Sequence, residues 1–255
     1  MKVEDIVRGL RRHYESISSY EDNGIFKTVC MGWESTYHFR TLFMRPNRLL
    51  FEWDKLDNQG DPCRLIVKGD KGQLFCSSAI LEHVRSMKQL TQVQDVREIN
   101  MPMSGAAGWT QGMSDTVLPL LIANSGRPCF AFNRLAFFKM EDVNGMPCYR
   151  LREIYSPTHI WIAEHDFTIQ KFVDESSMPF PLGLVFDSAR IGLATFGPRL
   201  TKDSNEAAEF AKLKDSPDLL ECTFTKVSYN HLADSDLVSC AFKSQEEWAT
   251  SKSFK

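Results

Sequence analysis

Six histidines and seven cysteines are the side chains in this sequence best suited to metal binding or nucleophilic catalysis. Their spacing supports neither. His13, His38, His83, His159, His165 and His231 include no HExxH pair and no metal-like pair on one helical face. His159 and His165 flank an expected turn, at a separation that fits no common ligand set. Cys30, Cys63, Cys76, Cys129, Cys148, Cys222 and Cys240 form no CxxC pair, and an odd number cannot all pair within one chain. Most lie in apolar, strand-like runs, where a free thiol packs as a small hydrophobe. There is no GxSxG elbow and no phosphate-cradling glycine loop, and Gly69-Asp70-Lys71-Gly72 reads as a hairpin connection. The expectation is therefore no metal, no cofactor and no catalysis. One enzymatic alternative stays open, a hydrolase or thiol enzyme pairing a cysteine with a histidine distant in sequence.

What does recur is apolar surface at strand spacing. Residues 37–53 read YHFRTLFMRPNRLLFEW. Tyr37, Phe39, Thr41, Phe43 and Arg45 share one face because strand side chains alternate with period two. Leu49, Phe51 and Trp53 share a face of the next strand, with Arg48, Glu52 and Asp54 opposite. Pro46 cannot donate to a ladder and Asn47 suits a turn, so Arg45-Pro46-Asn47 joins the two strands as a hairpin. An antiparallel sheet this apolar must be covered by helices or hold an apolar ligand.

The surrounding elements follow from the same patterns. Val3, Ile6, Val7, Leu10, Tyr14 and Ile17 recur at helical spacing, with Arg8, Arg11 and Arg12 on the other side. Asp22-Asn23-Gly24 reads as a turn into a first strand over Ile25–Met31. Strands are expected at Cys63–Lys68 and Gln73–Ser77, and the stretch from Ile80 to Leu90 fits either a helix or a polar strand. Met101–Met113 reads as a mobile apolar loop, followed by a short apolar helix over Thr116–Asn124. A second series starts near Arg134. It holds an Asn144-Gly145 hairpin, then strands at Cys148–Tyr155, Thr158–Ala163, Thr168–Asp174 and Glu221–Tyr229. Residues 178–218 interrupt this series with an apolar part and a polar helix near Ser204–Lys214, and the tail from Lys243 is polar.

Composition narrows the class further. Hydrophobic content of 43% and charged content of 25% are those of an ordinary globular chain. A net charge of −3 gives no field that would gather nucleic acid. No apolar run is long enough to span a bilayer, and Met1-Lys2-Val3-Glu4-Asp5 lacks a secretory apolar core.

In this order the chain resembles the lipoprotein carrier superfamily, the LolA/LolB-like half-barrels. The resemblance is strongest at Arg45-Pro46-Asn47 followed by Trp53. Ser19-Tyr20 with Gly24, Gly69–Phe75, and Val117–Asn124 echo the family in the right order, as do the hairpins around Asn144-Gly145 and Trp161–Lys171. The large 178–218 segment and the absence of a Pro-rich C-terminal strand depart from it.

The resemblance implies a single α+β domain over 1–255 with an insertion at about 178–218. The expected architecture is a strongly curved antiparallel sheet, an incomplete barrel, with an N-terminal helix and lid-like short helices over an apolar cavity. It implies a non-catalytic carrier of a hydrophobic ligand, a lipid or the acyl chains of a lipoprotein. Phe39, Phe43, Leu49, Phe51 and Trp53 would then line the wall. Met103, Trp109, Met113, Leu118, Leu121 and Ile122 would close it, and Arg45 would latch the lid backbone. A membrane-associated donor or acceptor protein is the implied partner. The resemblance points to the periplasm or cell envelope, whereas unpaired cysteines and no visible signal point to the cytoplasm. The alternative is an interaction module whose cavity is filled by its own side chains.

Overall fold

Period-two alternation governs most of the chain after residue 18, and the computed structural model turns it into eleven antiparallel strands. The structure describes residues 1–30, 33–56, 63–75, 97–110, 112–122, 128, 130–175, 219–233 and 236. The first six strands are β1 (Ser19–Cys30), β2 (Trp33–Met44), β3 (Arg48–Lys55), β4 (Cys63–Lys68), β5 (Lys71–Phe75) and β6 (Arg97–Glu98). The other five are β7 (Leu135–Val143), β8 (Met146–Glu153), β9 (Thr158–Ala163), β10 (Ile169–Asp174) and β11 (Leu219–Tyr229). Their order is β6-β5-β4-β3-β2-β1-β11-β10-β9-β8-β7, so β11 joins two meanders by pairing with both β1 and β10. The sheet is open, with β6 and β7 at its edges.

One face of this sheet is apolar almost throughout. Phe26, Cys222, Phe172, Ile160 and Leu151 form one cross-strand row, and Trp53, Phe39 and Phe224 belong to another. We call this the inner face, because α1 (Val3–Ser16), α2 (Asn100–Trp109) and α3 (Leu118–Leu121) contribute to the same buried cluster. The outer face carries two smaller apolar groups and cross-strand ion pairs such as Arg64–Glu52 at 2.5 Å.

Helix α1 has fourteen residues, too few to hold together on propensity alone. It is stabilised by burying Ile6, Leu10 and Tyr14, with Glu4 and Asp5 in the first turn favourably placed for the helix dipole. Its far end leaves carbonyls without intrahelical partners. Arg45 supplies them. Its Nε donates to the Ile17 carbonyl at 2.9 Å and its Nη2 to the Tyr14 carbonyl at 2.8 Å. The Tyr14 hydroxyl in turn accepts from the Ile169 amide at 3.2 Å. The β2–β3 turn and β10 thus fix the end of α1 from both halves of the sheet.

Three local expectations are corrected. Asp22-Asn23-Gly24 is not a turn but lies within β1, where the pairing with β11 slips by a bulge between Asn23 and Gly24. Glycine is required there for closeness rather than for turning: a Cβ would lie 2.4 Å from the Phe39 ring and from the Thr223 carbonyl. Met101–Met113 is not a loop, because Asn100–Trp109 forms α2 and packs on β5. The glycines that weaken α2 as an isolated helix also let it dock, since a Cβ on Gly105 would lie 2.7 Å from Leu74. The helix expected over Thr116–Asn124 contracts to Leu118–Leu121, behind a 3-10 turn at Met113–Asp115. The Asn144-Gly145 hairpin forms as expected, both residues having positive φ. The segment from Ile80 to Leu90, the 178–218 insertion with its Ser204–Lys214 helix, and the tail from Lys243 lie outside the described residues.

Replacing Arg45 by leucine should lower stability by about 1.5–3 kcal/mol, the usual worth of hydrogen bonds to a charged group. Lysine should recover only part of this, because one ammonium lacks the fork that reaches two carbonyls. Urea denaturation measures both, and an unchanged midpoint for the leucine variant would contradict the role given to Arg45.

Candidate functional site

The inner face and its helical cover form the candidate site. Phe39 and Phe43 project from β2, and Leu49, Phe51 and Trp53 from β3, all in one buried cluster. The rings interlock: Phe51 stacks on Trp53 at 5.1 Å, and Phe39 meets Phe224 edge-on at 5.4 Å. Leu65 and Val67 of β4 extend this wall, and Leu74 of β5 ends it under α2. The cover comes from Met103 and Ala106 of α2, Met113 of the 3-10 turn, then Val117, Leu118, Leu121 and Ile122. Ten of the twelve residues singled out in the sequence therefore meet in a single cluster.

Of the other two, Trp109 ends α2 and its side chain lies outside what the structure describes. Arg45 lies at the rim, and its guanidinium hydrogen bonds run to the end of α1, not to the backbone of α2 or α3. The latch implied by the resemblance is thus redirected in this structure. The helix that Arg45 holds is α1, which itself contacts α3.

The cover satisfies most of its polar groups, the buried Ser114 hydroxyl being without a partner. Thr110 Oγ1 donates to the Ala106 carbonyl at 2.9 Å and accepts from the Ser114 amide at 3.1 Å, and Thr116 Oγ1 donates to the Met113 carbonyl at 2.8 Å. These bonds tie the 3-10 turn to the end of α2. Asp115 in that turn is held in largely apolar surroundings, and burial pushes its carboxyl up to about 7.

The wall does not satisfy all of its polar groups. Asp22 is 0% exposed on the inner face of β1, and neither carboxyl oxygen has a hydrogen-bond partner. The Tyr20 hydroxyl and Trp53 Nε1 are buried and unpartnered as well. Burial pushes Asp22 up to about 7, opposed by Thr41 and Tyr20, which lie beside it without reaching hydrogen-bond geometry. Sequence reading missed this group because a turn at Asp22-Asn23-Gly24 would have placed the carboxylate in water. The signal available was Tyr20, Asp22 and Gly24 in alternation ahead of Phe26.

Catalytic readings gain nothing from the described thiols. Cys63, Cys148 and Cys222 are buried, and desolvation raises Cys222 well above the ordinary thiol range and Cys148 to about 11. A thiolate nucleophile needs the opposite shift. Among the described residues no three His, Cys, Asp or Glu side chains gather as a metal site. His165 instead pairs with Asp166 at 3.2 Å. Among the described residues no helix is long and apolar enough to cross a membrane.

No family model and no curated protein matches the chain. Solved structures do. A LolA superfamily protein from Nitrosomonas europaea is 10% identical, covers 93% of this chain and 98% of its own, and gives a TM-score of 0.35. A putative outer membrane lipoprotein-sorting domain from Vibrio parahaemolyticus is 8% identical over 93% of this chain and 96% of its own, with a TM-score of 0.33. The MucA/MucB complex of Pseudomonas aeruginosa matches at 13% identity over 92% of this chain and 60% of that one, with a TM-score of 0.41. The first two belong to the class that the sequence resembles. Identities and TM-scores this low add nothing to a functional reading, which rests on the geometry above.

Asp22 gives a pH prediction. Its folded carboxyl titrates near 7 and its unfolded one near 3.8, so the native state keeps a proton that the unfolded chain has lost. That contribution is whole in acid and disappears as pH rises through 7, by at most about 4 kcal/mol. Asp22→Asn should therefore raise the melting temperature at about pH 8 and leave it nearly unchanged or lower at about pH 4. Thermal melts at the two pH values check this, and an equal shift at both would refute it.

Proposed function

We propose that the inner face binds the hydrocarbon part of an amphiphile, as a non-catalytic carrier or binding protein. The observation that supports this most is the mismatch between wall and cover. The wall is a continuous aromatic and aliphatic surface across both meanders. Among the described residues, the cover beyond α1 is one ten-residue helix rich in glycine and alanine that lies on β4 and β5, a 3-10 turn and one turn of α-helix. Each methylene moved from water to such a wall contributes roughly 0.8 kcal/mol. Met103 and Met113 give the cover side chains that repack around a variable shape.

Binding requires the cover to move, since the described wall residues are buried in this structure. The ligand would select a conformation in which α2 and α3 are lifted. Arg45 then acts at one remove. By holding α1 it holds the helix against which α3 rests, so loosening it favours the open form.

The same burial favours a second reading, in which the wall is simply a core completed by its own cover. The two readings part on one experiment. Native mass spectrometry of the purified protein, followed by titration with a fluorescent fatty acid, should show co-purified lipid or saturable uptake. Arg45→Leu should speed uptake and release. Protein that is empty and takes up no acyl probe would rule out the carrier reading and leave the core reading standing.

A further inference from the structure

The inner wall buries one carboxyl, Asp22, for which the protein supplies no cation and no hydrogen bond of good geometry. Reading across the sheet from β4, one inner-face row runs Leu65, Phe51, Thr41 and then Asp22. The carboxyl sits at the end of an apolar track that spans roughly 14 Å, at about 4.8 Å per strand. Phe39 closes over Gly24 on one side of it and Tyr20 stands on the other.

The titratable groups facing Asp22 are Tyr14 from α1, Tyr20 from β1 and Cys222 from β11, none of them a cation. Neighbouring Glu21 points to the outer face, where Arg40, Lys226 and His231 gather around it. The local positive charge is therefore spent on the wrong side of the sheet. A buried carboxyl with both oxygens free is rare in folded proteins, and it is costly unless a donor arrives. An ammonium group brings three donors and no acceptor, the complement of two open oxygens.

We propose that the amphiphile taken by the inner face carries an amine head, which pairs with Asp22 while its chain lies along Thr41, Phe51 and Leu65. This deepens the carrier reading and rests on it. An amine head offers the carboxyl the cation that β1, β2, β11 and α1 withhold, whereas a carboxylate head brings a second anion. The Tyr20 hydroxyl, unpartnered beside Asp22, completes the head site.

The test compares three probes of one chain length, dodecylammonium, dodecanol and dodecanoate, each kept below its micelle concentration or solubility limit. Calorimetric titration at about pH 8 in high salt screens attraction to the exposed surface while leaving a buried pair intact. Dodecylammonium should bind about tenfold or more tightly than the other two, as a charge-assisted hydrogen bond provides. In Asp22→Asn that preference should fall away while dodecanol binding persists. Should the variant not fold, wild-type protein at about pH 5 serves instead, since a protonated Asp22 should lose the preference likewise. Three probes binding alike, or a preference that survives in Asp22→Asn, overturns the amine head and leaves the carrier reading intact. Failure of all three to bind overturns both.

Discussion

Burial of the inner sheet face against short helices is the interaction on which the rest of this molecule depends. Eleven antiparallel strands put Phe26, Phe39, Phe43, Phe51, Phe172 and Phe224 on one side, with no second sheet among the described residues to meet them. Among the described residues helices do the covering, and a helix shields only a narrow stripe. The consequence runs through every local feature. α1 lies over the sheet with its end tied to the β2–β3 turn by Arg45, and α2 comes close to β5 because Gly105 has no side chain. Thr110 knots the 3-10 turn to the end of α2.

Strands and hairpins were legible in the sequence where alternation is strict and turns have unmistakable chemistry. Phe39-Arg40-Thr41-Leu42-Phe43 and Leu49-Leu50-Phe51-Glu52-Trp53 pair in register around Pro46-Asn47, and Asn144-Gly145 closes β7 onto β8. Two misreadings have one cause. Asp22-Asn23-Gly24 has turn composition and Met101–Met113 has loop composition, but both segments are held by neighbours distant in sequence. Phe39 and β11 confine the first, and β5 supports the second. Local propensity cannot register such contacts. Ten candidate site residues came together because apolar strand faces and apolar short helices have few places to go. The partner of Arg45 was not legible, since nothing in Arg45-Pro46-Asn47 tells one set of backbone carbonyls from another.

The wall is consistent at every level except one. Propensity, alternation and packing agree across the wall, yet on β1 and β3 a carboxyl, a phenol and an indole N–H are buried without partners. Breaks of this kind concentrate where a protein does something other than fold. Here they lie on the same face as the apolar wall, the surface proposed to take the ligand. The outer face shows the usual remedy, with Glu21, Glu52 and Glu141 each paired to a cation. That the inner Asp22 is not so treated is the strongest reason to regard the interior as more than a core.

The central claim is that a ligand chain lies between the sheet and its cover. Isotope-filtered NMR of protein saturated with a fully protonated acyl amphiphile tests this most directly. The account predicts contacts from chain protons to the methyl groups of Leu49, Leu65 and Val67 on the wall and of Leu118 and Leu121 on the cover, within one complex. Contacts confined to exposed residues, or none from the chain to either layer, would contradict it.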